Sequence, residues 1–204
     1  MSSRLTSTDY SMKKLIFTLL ISAFIIPVLN GQFTRIGGGA AYGSGYWFQK
    51  TKVEEYRSGH FAGFIEGVYK ITVPIHVAGT FTFFYPHIEK YTSSKSSVYS
   101  MMFDINGHYM FNSLDKFEFY GIAGLDFLLT WHKQEIIVTG AESFTDNDNA
   151  FGLNLGAGTV FNMSEKASLF VEAKYTVSKY SQFMVNAGVF VNIEWLGKRD
   201  IGDY

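Results

Sequence analysis

Apolar side chains recur at every second position over most of this chain, and the pattern is longest in Ala150–Trp195. There Phe151, Leu153, Leu155, Ala157, Thr159 and Phe161 alternate with Gly152, Asn154, Gly156, Gly158, Val160 and Asn162. The alternation resumes with Leu169, Val171, Ala173 and Tyr175 against Glu172, Lys174 and Thr176. It resumes again with Phe183, Val185, Ala187, Val189, Val191, Ile193 and Trp195 against Asn186, Gly188, Asn192 and Glu194. Successive side chains of a strand point to opposite faces, so a period of two sustained this long predicts strands. One face is continuously apolar, while the other mixes charge, amide and glycine. A sheet face that meets water is seldom so rich in glycine. A barrel with lipid outside and a narrow, polar, filled interior needs this mixture.

Five earlier strands are predicted in the same way: Phe33–Tyr46, Phe61–Ile71, Ile75–His87, Val98–Phe111 and Phe117–His132. The first carries Gly37-Gly38-Gly39 and Gly43-Ser44-Gly45, tolerable where curvature or a narrow interior leaves no room for side chains. A phosphate-cradling loop is the competing reading of these glycines. No Gly-Lys-Ser/Thr ending and no helical pattern follows, which removes it. Between the strands lie loops at 47–59, 89–97 and 133–149 and short turns at Thr72–Pro74, Asn112–Lys116 and around Ser164–Lys166. Long connections alternating with short ones are the asymmetry of outer-membrane barrels, whose short turns face the periplasm. The predicted fold is an all-β, eight-stranded, antiparallel, up-and-down transmembrane barrel.

Met12-Lys13-Lys14 followed by an apolar stretch up to Val28, then Leu29-Asn30-Gly31, has the shape of a secretory signal peptide. Residues 1–31 are therefore expected to be a polar lead plus a cleaved signal, with Met12 the true start. Residues 32–196 are expected to form the barrel and 197–204 a tail. Charged residues make up 17% of the chain and aromatics 18%, with 20 Gly and 3 Pro. That charge content is below the roughly 25% of soluble domains and fits strands in a bilayer better than a water-exposed globule. No apolar run of about 20 residues follows residue 32, so spanning helices are not expected there. The absence of cysteine removes disulfides, thiolate metal sites and cysteine lipidation. With Arg4, Lys13, Lys14 and Asp9 set aside, 14 basic and 17 acidic side chains remain, and no basic patch points to nucleic acid.

The chain resembles the bacterial outer-membrane β-barrel domain family, the small eight-stranded OmpA/OmpX-like barrels. The resemblance rests on Phe151-Gly-Leu-Asn-Leu-Gly-Ala-Gly158, Ser168-Leu-Phe-Val-Glu-Ala-Lys-Tyr175 and Phe183-Met-Val-Asn-Ala-Gly-Val189, and covers about Gln32 to Trp195. It implies an integral protein of the outer membrane, inserted by the barrel assembly machinery. Family members end on an aromatic residue that closes the last strand. Trp195 holds that alternating position, but nine residues follow it and Tyr204 is last.

With the apolar set facing lipid, the inward set comprises Glu66, Lys70, Asp104, His108, Glu118, Asp126, Glu172, Lys174 and Glu194, with Arg35 on the same side. An eight-stranded interior is just wide enough for side chains to fill it. Charges there must pair, because unpaired burial costs several kcal/mol per ion. The expected outcome is a lumen charge network that plugs the barrel; a narrow porin-like channel gated by the network is the alternative. A secreted lipocalin-like barrel would need the opposite facing, with the apolar set inside. Tyr85, Tyr99, Tyr109, Phe117, Trp131, Tyr175 and Trp195 fall near predicted strand ends, as interfacial girdles do.

No cofactor is expected. His60, His76, His87, His108 and His132 lie on different strands or loop edges with no close ligand spacing, so no metal site is predicted. Asp146-Asn147-Asp148 is read as a solvated loop tip, lacking the ligand ladder and closing Glu of a calcium loop. Among small barrels of this kind that act on lipid A, the deacylase type needs a His-x-Ser pair facing lipid with a nearby carboxylate. The residues two after each histidine here are Ala62, Ala78, Glu89, Met110 and Gln134, so no catalytic residue is assigned. The expected role is structural or surface interaction, with an extracellular partner met through loops 47–59, 89–97 and 133–149.

Overall fold

The computed structural model describes residues 33–51, 54–58, 60–90, 94–136 and 144–193. Its strands are β1 Phe33–Gly43, β2 Tyr46–Thr51, β3 Glu54–Ser58, β4 Phe61–Thr72, β5 Ile75–Lys90, β6 Ser94–Leu114, β7 Phe117–Ile136, β8 Phe144–Asn162, β9 Ala167–Ser178 and β10 Gln182–Asn192. Eight of them close an antiparallel barrel in the order β1-β10-β9-β8-β7-β6-β5-β4, while β2 and β3 pair as a separate hairpin. The ring is sealed by β1 against β10, with Gly39 opposite Gly188 and Ala41 opposite Asn186. The predicted signal peptide, Glu194, Trp195 and the tail lie outside the described residues.

The loops differ from expectation. The segment 47–59, read as a charged loop, holds the β2–β3 hairpin, entered where Gly45 takes a φ of 77°. The segment 89–97 mostly continues β5 and β6, and 133–149 mostly continues β7 and β8. Asp146-Asn147-Asp148 is strand, paired with His132, Trp131 and Thr130, and not a loop tip. One physical cause explains all three. Beyond the apolar band the strands carry mostly polar and charged side chains, so the ladder continues while the hydrophobic alternation that signals it stops. The short turns match: Val73-Pro74 joins β4 to β5, Asp115-Lys116 joins β6 to β7 with Asp115 at a φ of 39°, and Met163–Lys166 joins β8 to β9. Pro86 sits inside β5 where the register shifts between Phe84 and His87, a place where a missing donor is tolerated.

The facing of the strands is as the alternation implies. Ile65, Phe103, Ile105, Leu125, Phe151, Leu153, Leu155, Val171 and Val189 are exposed on the outer wall. Phe64, Val68, Phe84, Met102, Tyr120, Ile122, Leu128, Val160, Phe170 and Phe190 are buried inside, among Glu66, Asp104, Asn106, His108, Asp126, Asn154, Glu172, Lys174 and Asn186. An apolar set outside and polar groups within is the reverse of a lipocalin. The interior is nonetheless more aromatic than parity implies. Glycine makes the room: a Cβ at Gly37 would stand 2.5 Å from Phe190, and one at Gly158 would stand 2.5 Å from the Tyr120 ring.

Candidate functional site: the barrel interior and its rim

The interior is built by neighbouring strands that each contribute every second residue. Its centre is an ion pair between β6 and β9, with Lys174 Nζ 2.7 Å from Asp104 Oδ2. The other Asp104 oxygen accepts from Asn154 Nδ2 at 2.6 Å, the same amide reaches Asn106 Oδ1 at 3.0 Å, and Thr176 donates to Asn154 Oδ1 at 2.7 Å. Parity sets Lys174 beside Glu172, its neighbour on the same strand face. Cross-barrel reach gives it Asp104 instead. Glu172 accepts from the Tyr120 hydroxyl at 2.9 Å, and its Oε1 lies 3.7 Å from His108 Nε2. The His108 ring stacks on Tyr120, centroids 4.6 Å apart. Glu66 accepts from Thr80 at 3.1 Å through Oε2 only; its Oε1 has no hydrogen-bond partner. Asp126 lies directly across from Asp104 in the β6–β7 ladder, with its Oδ2 unpartnered.

Glu66, His108 and Glu172 together offer one ligand atom each within 4.8 Å of one another. Sequence spacing could not reveal this grouping, because its members come from β4, β6 and β9 and only barrel closure brings them together. At the short-turn end Arg35 donates to both Glu118 oxygens at 2.8 and 3.0 Å, and Asn162 Nδ2 adds a donor to Glu118 at 2.8 Å. Arg35, Lys70, His76, Met110 and Glu118 line a cavity of about 300 Å³ there. Ten candidate lumen residues thus divide into a central group (Glu66, Asp104, His108, Asp126, Glu172, Lys174), a mouth group (Arg35, Lys70, Glu118) and Glu194, outside the described residues.

Residues not singled out from the sequence close the lumen. Phe170 and Phe190 stack at 3.9 Å, and Phe64 meets Phe170 edge-on at 5.8 Å. Toward the opposite end Phe84, Met102, Leu128 and Met184 are buried. Above them Tyr46, at the start of the hairpin, places its hydroxyl 2.6 Å from Ser100 Oγ and 2.8 Å from Thr130 Oγ1. The Tyr46 ring lies 5.1 Å from that of Tyr180. Tyr180 donates to Asp148 Oδ2 at 2.6 Å, and Lys179 donates to the same oxygen. Burial acts to raise the Asp148 carboxyl, but the donors Lys179 and Tyr180 outweigh it and hold it below the usual carboxylate range. Burial and the Asp148 contact push the Tyr180 phenol up to about 12. The bond to Asp148 raises Lys179.

On the outer wall the aromatic residues sit at two levels. Tyr99 and Trp131 are paired across β6 and β7 toward one end, with Tyr85 and Tyr175 on the same half of the barrel. Tyr109 and Phe117 lie toward the short-turn end. Between these levels the exposed side chains are aliphatic or Phe. The sequence pattern of outer membrane protein β-barrel domains matches residues 16–201. The chain belongs to that family. The outer-membrane barrel is also similar in fold to solved structures at low identity. The N-terminal β-barrel domain of Pseudomonas aeruginosa OprF has a TM-score of 0.54 at 12% identity, covering 79% of this chain and 97% of that one. A major outer membrane protein of Thermus thermophilus has a TM-score of 0.54 at 11% identity, covering 78% and 98%. Ail, the attachment invasion locus protein of Yersinia pestis, in complex with the heparin analogue sucrose octasulfate, has a TM-score of 0.52 at 16% identity, covering 78% and 97%. No curated protein matches the chain. This is an integral β-barrel protein of the outer membrane.

Proposed function

We propose that this outer-membrane barrel does not conduct and that its role is structural and interactive, exerted at the cell surface by strand ends that rise beyond the bilayer. One observation carries the reading: β6, β7 and β8 run 21, 20 and 19 residues, where about 9–11 suffice to cross a membrane. These strands are longer than a bilayer requires, and the ends of β6 and β7 beyond Tyr99 and Trp131 stand outside it. Beyond Tyr99 and Trp131 the ladder carries Ser97, Ser96, Lys95, Lys133 and Glu135, side chains suited to water and not to lipid. The charge network and the Phe64–Phe170–Phe190 layer serve as the plug. The short turns face the periplasm, and residues 12–31 direct export. Ail of Y. pestis, an attachment protein of the same build, supports by analogy a partner met outside the cell. Outer-membrane lipid and the barrel assembly machinery are the partners during insertion.

Planar-bilayer recording of the purified, folded barrel tests the closed lumen. No steady current is expected; reproducible, voltage-independent conductance steps would establish the narrow pore instead. Trypsin added to intact cells tests the orientation. Cleavage at Lys95 or Lys133 that leaves a protected barrel fragment is expected, and cleavage only after the outer membrane is opened would reverse the assignment of ends.

A further inference from the structure

We infer that Glu66, His108 and Glu172 form a buried site for one divalent transition-metal ion of the zinc class inside the barrel. Three observations converge. One ligand atom each of Glu66, His108 and Glu172 lies within 4.8 Å of the other two, with His108 Nε2 3.7 Å from Glu172 Oε1. Tetrahedral coordination with metal–ligand bonds near 2.1 Å needs separations of about 3.4 Å, so rotations moving each atom by about an ångström complete the geometry. Second, Glu66 Oε1 and His108 Nε2 are buried with no hydrogen-bond partner, although Glu66 is 2% and His108 5% exposed. Buried polar atoms normally find partners, and two orphans beside a second carboxylate mark the place where a cation would satisfy them. Third, the remaining lone pairs are already held from outside. Thr80 donates to Glu66 Oε2, Tyr120 donates to Glu172 Oε1, and the Tyr120 ring supports the His108 ring. Fixed outer donors that orient the ligands are the usual surroundings of a metal site.

Charge points the same way. Among the described residues the buried interior holds four carboxylates, Glu66, Asp104, Asp126 and Glu172, against one ammonium, Lys174. That ammonium is committed to Asp104 at 2.7 Å. A divalent cation on Glu66 and Glu172 neutralises both carboxylates without drawing on Lys174. One imidazole and two carboxylates are a borderline donor set suited to zinc, and less so to calcium or magnesium, which take oxygen alone. His108 is one inward position beyond Met110, a residue that lines the mouth cavity.

The test uses the full chain, folded into detergent micelles with and without zinc chloride, then dialysed and assayed for metal by mass spectrometry. One zinc per barrel is expected, with a higher urea midpoint for the loaded form and visible d–d bands when cobalt replaces zinc. Glu66→Gln and His108→Asn should lose the metal, and Thr80→Val should weaken it about 10- to 100-fold through the lost outer donor. Heat-modifiable migration on a detergent gel checks that each variant is folded. His87→Ala, which removes a histidine outside the site, should bind as the parent does. Should any ligand variant fail to fold, the cobalt spectrum of the parent decides: intense four-coordinate bands support a closed protein site, and weak six-coordinate bands overturn it. A parent barrel that retains no stoichiometric zinc overturns the inference. Folded Glu66→Gln and His108→Asn barrels that hold zinc as tightly as the parent overturn it equally.

Discussion

Lys174 is the single buried ammonium of the described interior, and replacing it with methionine isolates what its charge does. Met keeps nearly the whole stem, so the packing cost of the swap stays below about 1.5 kcal/mol. The charge is another matter. Lys174 is 1% exposed and its ammonium lies 2.7 Å from Asp104 Oδ2. Asp126 stands directly across the ladder from Asp104, so loss of the cation leaves two inward acids side by side. Breaking a buried pair from one side typically costs about 3–5 kcal/mol, because the partner charge stays buried without compensation. The Asn154 amide still donates to Asp104 at 2.6 Å, which places Lys174→Met at the lower end, about 3 kcal/mol. Lys174→Ala adds a cavity and should cost more. Adding Asp104→Asn to Lys174→Met removes both charges and keeps an acceptor for Asn154, so the pair should recover about 2 kcal/mol of the loss. Urea unfolding of the barrel in lipid vesicles, followed by tryptophan fluorescence, measures all three. A Lys174→Met barrel with the parent's midpoint, or a double variant weaker than the single, refutes the reasoning.

Further predictions follow from the wall, the inner packing and the rim. Leu125→Arg and Leu155→Arg put a cation on the exposed apolar band and should each destabilise the barrel in vesicles by about 2–4 kcal/mol; parental stability would mean that this face does not meet lipid. Gly37→Ala drives a Cβ to 2.5 Å from Phe190, whose ring cannot yield easily while stacked on Phe170 at 3.9 Å, and a loss of about 1–3 kcal/mol is expected in urea titration. The Asp148 carboxyl is depressed in the folded barrel, so its contribution is present above the unfolded value near 3.9 and is lost as pH falls through the lower folded value. Asp148→Asn should abolish that acid-side dependence in amide exchange of the 179–181 turn while costing only about 0.5 kcal/mol at neutral pH, since the pair is partly solvated.

Much of this barrel was legible because bilayer thickness imposes a pattern on the sequence. Ile65, Leu125, Leu155 and Val189 have lipid on one side and side chains on the other, so alternation read their facing directly. It also placed Glu66, Asp104, His108, Asp126, Glu172 and Lys174 on the inner face. What alternation cannot carry is which of them meet. Parity places Lys174 on the face of Glu172, yet its partner is Asp104, 70 positions away in sequence and across the lumen. The same limit hid the grouping of Glu66, His108 and Glu172. Strand ends escaped the pattern for a different reason. Ser94–Ser97 and Lys133–Glu135 extend their ladders with polar and charged side chains alone, so no apolar face marks the strand.

The buried aromatics show how far register adds to pattern. Phe64, Phe84, Phe170 and Phe190 occupy the face that otherwise carries charge and glycine, so along the chain they look like interruptions of the alternation. Eight strands fix the lumen radius, and a filled interior must therefore hold a nearly constant side-chain volume in each layer. Where a ring enters, a neighbouring strand has to give space. Phe190 is paired with Gly37, Phe170 leans on Gly188, and Tyr120 lies over Gly158, its direct partner in the β7–β8 ladder. Glycine and ring are thus halves of one packing unit. The unit becomes visible only when residues on two strands are set side by side. The glycine-rich β1 consequently does more than curve: Gly37 and Gly39 admit Phe190 and a close approach to Gly188 at the seam where the last strand meets the first. Closing the barrel and plugging it are therefore parts of the same packing at β1.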